Sequence, residues 1–155
     1  MATTKVLLRH GDVRDVAALD ALMTAAFDPR FGEAWTRNQC QGVLALPGVR
    51  LTLAVVDDAP AGFAMVRSVL DETELLLLAV SPRFRRHGVG AALLRAVIAD
   101  AQAAGVTRLH LEVRANNDAV RLYTRHGFTR TGVRSRYYRG RDGQAFDAHT
   151  YARHL

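Results

Sequence analysis

Residues 78–91 have the sequence Leu78-Ala79-Val80-Ser81-Pro82-Arg83-Phe84-Arg85-Arg86-His87-Gly88-Val89-Gly90-Ala91, in which an apolar strand-like segment passes through a basic turn into a long segment of helical periodicity. A strand, turn and helix in that order point several free backbone N–H groups and the positive end of the helix dipole at one place. Arg85, Arg86 and His87 add side-chain charge there, and Gly88 and Gly90 let a ligand approach the backbone closely. The stretch therefore predicts a pyrophosphate-binding turn.

The spacing of the glycines distinguishes between classes of phosphate site. A P-loop needs Gly-Lys-Ser/Thr at the start of the helix, and a dinucleotide fingerprint needs three glycines spaced G-x-G-x-x-G; neither pattern is present here. The turn instead has Arg85, Gly88 and Gly90 in the order Arg-x-x-Gly-x-Gly. This resembles the acetyl-coenzyme A signature of the GNAT N-acetyltransferases, which implies that residues 78–80, 85–91 and their amides contact the coenzyme. A Gly-x-Gly after a strand is, taken alone, more often an ordinary tight turn.

Length and composition set the class of protein. The chain has 155 residues, of which 49% are hydrophobic and 23% charged, as expected for a single globular domain over residues 1–155. It has no apolar run of about 18 residues and no signal-peptide pattern, so we expect a cytoplasmic protein without a membrane partner. The single Cys40 cannot form an internal disulfide, and it is expected to be a buried apolar residue.

Charge is distributed unevenly along the chain. Residues 1–81 have seven basic and ten acidic side chains, a net charge of −3, whereas residues 82–155 have fourteen and five, a net charge of +9. A basic half can serve a polyphosphate ligand such as coenzyme A, or nucleic acid. The acidic cluster 71–74 is expected to be a solvated hairpin turn, with attraction of a cationic amine as the alternative.

Hydrophobic periodicity, caps and turn residues predict eleven elements. They are a strand at 6–8, a helix from the N-cap Asp12 to Phe27, a helix at 34–46, strands at 50–56, 61–70 and 75–80, a helix at 88–104, a strand at 109–113, a helix at 118–126, a strand at 128–134 and a last strand ending near Tyr151. The strand at 75–80 is apolar without alternation, which predicts burial on both faces. The fold class is therefore α/β (α+β), a mixed, mostly antiparallel seven-stranded sheet with 75–80 and 109–113 as a central parallel pair. The order β-α-α-β-β-β-α-β-α-β-β is that of the GNAT fold.

A second stretch, residues 111–128, contains Leu111-Glu112-Val113-Arg114-Ala115-Asn116-Asn117, then Leu122-Tyr123 and Gly127-Phe128. It resembles the RimI-type GNAT enzymes, which acetylate the N-terminal alanine of a small-subunit ribosomal protein. The resemblance covers most of residues 60–150 and implies that Asn116 or Asn117 contacts the coenzyme; the segment is one residue shorter than the family pattern, so both stay open. It also implies substrate-binding roles for a further set of residues, Trp35, Glu72, Tyr137 and Tyr138.

The chemistry of acyl transfer assigns roles to three groups. Transfer from a thioester to an amine needs a neutral amine, a stabilised oxyanion and a proton for the leaving thiol. Glu112 lies in an apolar strand, where burial would raise its pKa toward a useful base; a salt bridge to Arg114 or a neighbouring strand is the alternative. Tyr123 is the candidate general acid, with ordinary core packing as the alternative, and the N–H of Val80 is the candidate oxyanion donor.

The acceptor is expected to be a protein N-terminus. A peptide α-amine has a pKa of about 8 and a lysine amine about 10.4, so only the former is appreciably neutral near pH 7. The sequence thus predicts an acetyl-coenzyme A-dependent N-acetyltransferase acting by direct attack in a ternary complex, most simply on a ribosomal protein. The alternatives are a small-molecule amine or lysine as acceptor and, from another class, a basic nucleic-acid-binding module. The six histidines have no metal-ligand spacing, so no metal is assigned.

Overall fold

A computed structural model describes residues 5–155. Among these residues, seven strands and four α-helices follow one another in the predicted order: β1 (Leu7–Gly11), α1 (Val16–Ala26), α2 (Arg37–Leu44), β2 (Val49–Val56), β3 (Ala59–Val69), β4 (Glu72–Val80), α3 (Val89–Ala103), β5 (Arg108–Arg114), α4 (Ala119–Arg125), β6 (Thr129–Arg139) and β7 (Ala145–His154). Short 3₁₀ turns precede α1 and α3, and another lies between α1 and α2.

The strands form one mixed sheet in the order β1-β2-β3-β4-β5-β7-β6. Its one parallel pair is β4 with β5, joined through α3, and the other neighbours are antiparallel. The predicted fold class and the central parallel pair are confirmed. This topology brings the carboxyl ends of β4 and β5 together beside the start of α3, where ligands bind in such sheets.

Two apolar clusters cover the two faces of the sheet. Along β3, Phe63 and Met65 belong to the cluster that includes α1 and α2, whereas Ala64 between them belongs to the cluster that includes α3. That alternation is the period of a strand buried on both faces. Helices therefore cover both faces of the central strands, whose carboxyl ends are held in place to position a site.

The ends of the helices follow their capping residues. The second helix was predicted at 34–46, but it begins at Arg37 because Thr36 and Gln39 form a capping box, each accepting a hydrogen bond from the other's backbone N–H. Trp35 is thereby left outside the helix. Gly105, at φ +76°, follows the end of α3 as predicted.

Strand β4 differs from its prediction in length. It begins at Glu72, three residues earlier than expected, and along it Thr73, Leu75, Leu77 and Ala79 are buried while the residues between them are only half-buried. Leu76 has no partner in the register with β3, since Met65 pairs with Leu77 and Val66 with Leu75. Parallel pairing with β5 ends at Leu75 and Leu111, so the rest of β4 has an open lateral edge. Both of its faces are nevertheless covered as predicted, because Leu75, Leu78 and Val80 pack in one apolar cluster and Leu77 and Ala79 in the other.

Strands β6 and β7 are also longer than predicted. Strand β6 continues past residue 134 to Arg139, so Tyr137 and Tyr138 lie within it, and β7 continues past Tyr151 to His154. Strand β6 is an edge strand and is exposed along most of its residues. Its many charged and polar side chains give no apolar alternation beyond residue 134, so the sequence pattern predicts too short a strand. Within residues 5–155, no helix has the length and apolar character needed to cross a membrane.

Candidate active site

A cleft of about 970 Å³ opens where β4 and β5 separate. Past Leu75 and Leu111 the two strands no longer pair, and the cleft extends from this gap to the start of α3 on one side and to the connection between α1 and α2 on the other. We call this connection, residues 27–36, the α1–α2 loop. The cleft is lined by most of the residues predicted from the sequence: Leu78, Ala79, Val80, Arg85, Arg86, Gly88, Val89, Gly90, Ala91, Glu112, Asn117, Tyr123, Trp35, Tyr137 and Tyr138.

The start of α3 offers backbone donors to the cleft. Gly88 precedes the helix at φ +78°, a conformation that strains any residue with a Cβ. Its carbonyl accepts the first helical hydrogen bond, from Ala92 at 3.0 Å, so the N–H groups of the three residues between them have no helical acceptor. A Cβ on Gly90 would lie 3.2 Å from Leu122, which shows how closely α3 approaches α4 here.

Of the three basic residues directly before α3, Arg85 and Arg86 line the cleft and His87 does not. Arg85 donates from Nη2 to the carbonyl oxygen of Ala26, the last residue of α1, at 3.0 Å. Arg86 has the left-handed conformation, at φ +65°, and lines the cleft. His87 is predicted to contact the coenzyme, but it does not line the cleft, and its ring lies 6.5 Å from that of Phe84 in an edge-to-face arrangement.

The open side of β4 presents further donors. Ser81 donates its N–H to Ala61 on β3 at 2.8 Å. Hydrogen bonds in an antiparallel pair alternate in direction, so the N–H groups of Leu78 and Val80 point away from β3 and toward the gap. Beyond Leu75 there is no pairing with β5 to satisfy them. An extended ligand that contains amide groups can therefore pair with this edge as another strand would.

Glu112 reaches the cleft from β5 as part of an ion pair. Its side chain is 20% exposed, and Oε1 lies 2.7 Å from Nε of Arg134 on β6. Of the two alternatives for this residue, the salt bridge to a nearby strand is present, and it coexists with a place in the cleft. The ion pair fixes one carboxylate oxygen, and the carboxylate is thus held in one orientation.

Tyr123 lies on α4 with 5% of its surface exposed. Its ring packs edge-to-face on Phe128 at 5.9 Å, as a core tyrosine would, but it also lines the cleft. Burial raises the pKa of the Tyr123 hydroxyl, with smaller contributions from Tyr138 and Glu33. The hydroxyl is therefore protonated across the physiological range and can donate a hydrogen bond.

Tyr137 and Tyr138 both line the cleft although they are neighbours in one strand. The register of β6 with β7 shifts between Arg134 and Tyr138, and Arg136 within this bulge has φ +55°. Asp147 on β7 accepts the N–H of Arg136 at 2.9 Å, which holds the bulge. The two rings are 5.0 Å apart and edge-to-face, and burial raises the pKa of Tyr138, as do Glu33 and Glu112.

Besides His87, two predicted residues are not brought to the cleft. Glu72 is at the opposite end of β4 from Val80, where its carboxylate lies 3.5 Å from Nη1 of Arg108. Its place at the beginning of β4 follows from the early start of that strand. Asn116 adopts φ +66° in the turn after β5 and does not line the cleft, whereas its neighbour Asn117 does.

Sequence reasoning missed several charged residues of the cleft. Glu33 on the α1–α2 loop accepts hydrogen bonds from Arg114 and Asn117, both at 2.8 Å, and Arg125 also lines the cleft. Glu74 lines it too, but it belongs to the acidic cluster 71–74, for which attraction of a cationic amine is the alternative role. Arg114 stands inside the recognised stretch, so it could have been proposed. Glu33 lies in a loop without periodicity, and no sequence signal points to it. No group of three or more His, Cys, Asp or Glu side chains suited to a metal ion occurs between residues 5 and 155.

Comparison with known proteins agrees with this geometry. A model of the Acetyltransferase (GNAT) family matches residues 16–128. The ribosomal protein bS18-alanine N-acetyltransferase of Salmonella typhimurium is 45% identical over 83 residues, which are 53% of this chain and 56% of that protein. The enzyme of the same name from Haemophilus ducreyi is 40% identical over 94 residues, or 60% of this chain and 65% of that protein. These matches thus span less than two thirds of each relative.

The crystal structure of the ribosomal-protein-S18-alanine N-acetyltransferase from Escherichia coli superposes with a TM-score of 0.87 at 29% identity, covering 97% of this chain and 94% of that one. The likeness in fold therefore extends well beyond the stretch of close sequence identity. The family match covers most of the elements that build the cleft, from α1 to the end of α4. The chain belongs to the acetyltransferase (GNAT) family.

Proposed function

We propose that this protein transfers the acetyl group of acetyl-coenzyme A to a primary amine by direct attack in a ternary complex. The observation that carries the proposal is the single cleft in which the start of α3, the open edge of β4, Glu112 and Tyr123 meet. Membership of the GNAT family supports acetyl-coenzyme A as the cosubstrate. Membership of an enzyme family also disfavours the nucleic-acid-binding alternative.

The cleft offers groups suited to each part of acetyl-coenzyme A. The pyrophosphate would lie at the start of α3, on the N–H groups of Val89, Gly90 and Ala91, with Arg86 beside them. The amide-containing arm of the coenzyme would pair with the unpaired N–H group of Val80, which lies beside the start of α3. This order brings the thioester toward Glu112 and Tyr123, and Asn117 is the better placed of the two asparagines.

The protein groups then have the following roles. Glu112 accepts the proton of the attacking amine through a water molecule, and the N–H of Leu78, which lies nearer Glu112 than the predicted donor Val80 does, donates to the developing oxyanion. Tyr123 donates a hydrogen bond to the departing sulfur. A thiol has a pKa of about 8.5, below that of the Tyr123 hydroxyl, so this hydrogen bond stabilises a thiolate without complete proton transfer.

The proposed acceptor is the N-terminal α-amine of a protein, most simply a ribosomal protein beginning with alanine. The named relatives act on alanine of ribosomal protein bS18. The acceptor side of the cleft is lined by the acidic residues Asp28 and Glu74 and by Tyr137 and Tyr138, which suits a cationic peptide end. An acceptor of this kind implies a cytoplasmic enzyme, which is part of the same proposal.

The test combines binding and turnover in one sample. Acetyl-coenzyme A is titrated into the protein by calorimetry, and thiol release is then followed on adding a peptide with a free N-terminal alanine. A peptide of the same sequence with a blocked N-terminus and one internal lysine is the control. Release with the free peptide alone supports the proposal; release with the blocked peptide would move the acceptor to lysine. Binding without release from either peptide would point to a small amine, and absence of binding would overturn the proposal.

A further inference from the structure

A buried carboxylate ties the α1–α2 loop to the end of β5. The side chain of Glu33 is 9% exposed. Its Oε1 accepts a hydrogen bond from Nε of Arg114 at 2.8 Å, and its Oε2 accepts one from Nδ2 of Asn117, also at 2.8 Å. One side chain of the loop thus uses both oxygens to hold two residues that flank the turn between β5 and α4.

Both partners of Glu33 are themselves fixed. The Arg114 side chain is 12% exposed, donates from Nη1 to the carbonyl of Ala115 at 3.2 Å and lies over the ring of Phe31, 3.6 Å from its centroid. The side-chain oxygen of Asn117 accepts the N–H of Ala119 at 2.8 Å, at the first residue of α4. Glu33 is therefore held by the last residue of β5, Arg114, and by Asn117, just before α4.

The other side of the loop is seated on the β6–β7 hairpin. A Cβ on Gly32 would overlap the backbone carbonyl of Arg139, and a Cβ on Gly140 would overlap that of Arg30, so the two segments touch through their backbones. Arg141 also donates its N–H to the carbonyl of Pro29 at 3.2 Å. The loop consequently bridges the cleft from the hairpin to the end of β5, with Glu33 as its anchor at the second end.

We propose that Glu33 is a positioning residue for the acceptor: by holding Arg114 and Asn117, it keeps the α1–α2 loop closed over the acceptor side of the cleft. The loop contributes Phe31, Glu33 and Trp35 to the lining of that cleft. This role rests on the proposed function. The carboxylate also lies close enough to Tyr123 and Tyr138 to add to the rise in both their pKa values, after burial, which places the anchor beside the reacting groups.

The first test separates acceptor binding from coenzyme binding. Glu33→Ala removes one partner of a buried ion pair and leaves Arg114 unpaired, so the α1–α2 loop loses its attachment to β5. The variant is therefore expected to raise the KM for the N-terminal alanine peptide about tenfold or more. The affinity for acetyl-coenzyme A, measured by calorimetry, should change by a smaller factor, because the start of α3 and the open edge of β4 still hold the coenzyme when Asn117 is released. The control is Asp15→Asn, which removes the 2.7 Å ion pair with Arg9 outside the cleft and should leave both values unchanged. An unchanged peptide KM in a folded Glu33→Ala protein would overturn the proposal.

A reciprocal exchange tests the contact itself. Glu33→Gln removes the acceptor for Nδ2 of Asn117, and Asn117→Asp places two carboxylates together, so each single change should raise the peptide KM. In Glu33→Gln with Asn117→Asp, the glutamine amide can donate to the aspartate while its oxygen still accepts from Arg114. The double variant should recover most of the loss. Failure to recover, with the fold intact, would show that the hydrogen bonds do not position the loop.

A readout without turnover keeps this inference separable from the proposed function. The loop contains Arg30, a trypsin site, and releasing Glu33 should speed cleavage after Arg30 in Glu33→Ala but not in Asp15→Asn. Faster cleavage without thiol release in the parent protein would retain the anchor and reject the proposed reaction. Equal cleavage rates would reject the anchor whatever the reaction is.

Discussion

At the scale of single residues, two side chains of the cleft, Glu112 and Tyr123, are each oriented by a contact with another side chain of the protein. Glu112 is oriented by Arg134 at 2.7 Å, and Tyr123 is fixed by its packing on Phe128. Holding catalytic groups in one geometry removes the cost of ordering them during the reaction. The roles of both side chains can therefore be tested by substitutions that keep their shape.

Glu112→Gln keeps the size of the side chain and an oxygen for Arg134 but removes the proposed base. We expect kcat to fall by about 100-fold or more, the usual contribution of a positioned general base. Acetyl-coenzyme A binding, measured by calorimetry, should be retained because the start of α3 is unchanged. A variant with unaltered turnover across pH would remove Glu112 from the reaction.

Tyr123→Phe removes one hydroxyl from the cleft and leaves the ring on Phe128. We expect thiol release to slow by about tenfold or more, since the leaving sulfur loses its hydrogen-bond donor. Tyr151→Phe is the matched control, because Tyr151 is also a buried tyrosine of the core but does not line the cleft. Equal rates in the two variants would assign Tyr123 to packing alone.

At the scale of elements, the start of α3 combines a left-handed backbone conformation at Gly88 with the proposed pyrophosphate site. Gly88→Ala puts a Cβ at φ +78°, which should destabilise the fold by about 1 kcal/mol and shift the turn enough to weaken acetyl-coenzyme A binding several-fold. Gly42→Ala in α2 is the control, since its Cβ meets nothing within 4 Å and alanine favours a helix interior. Denaturant unfolding and calorimetry measure the two effects. Full affinity in Gly88→Ala would mean that the turn does not hold the ligand.

The same scale explains what the sequence could predict. Periodicity and caps identify α1, α3 and the order of the strands, because these features are local in the chain. The bulge at Leu76 is not local: it shows only in the register between β3 and β4, and it belongs to the open end of β4. The α1–α2 loop was missed for a related reason. Glu33 finds its partners 81 and 84 residues away, and no pattern around Glu33 encodes them.

At the scale of the whole molecule, the cleft joins two halves of opposite charge. The basic half, with net charge +9, supplies the turn before α3, while the acidic half, with net charge −3, supplies the α1–α2 loop. The two halves of the sequence thus meet in one cleft, which is lined by Arg114 and Arg139 from the basic half and by Glu33 and Glu74 from the acidic half. The cost of this arrangement is that tyrosine hydroxyls are buried between acidic groups.

That burial predicts a loss of stability in alkali. Burial chiefly raises the pKa values of Tyr123 and Tyr138 above the value of about 10 that they have in the unfolded chain. Their contribution to stability is therefore fully present below about pH 10 and is lost as pH rises from there toward the folded-state values, by at most about 1.4 kcal/mol per pH unit for each group. Denaturant unfolding at a series of pH values between 8 and about 11 measures the loss. The slope should be shallower in the double variant Tyr123→Phe with Tyr138→Phe; an equally steep slope would show that other groups bind the protons.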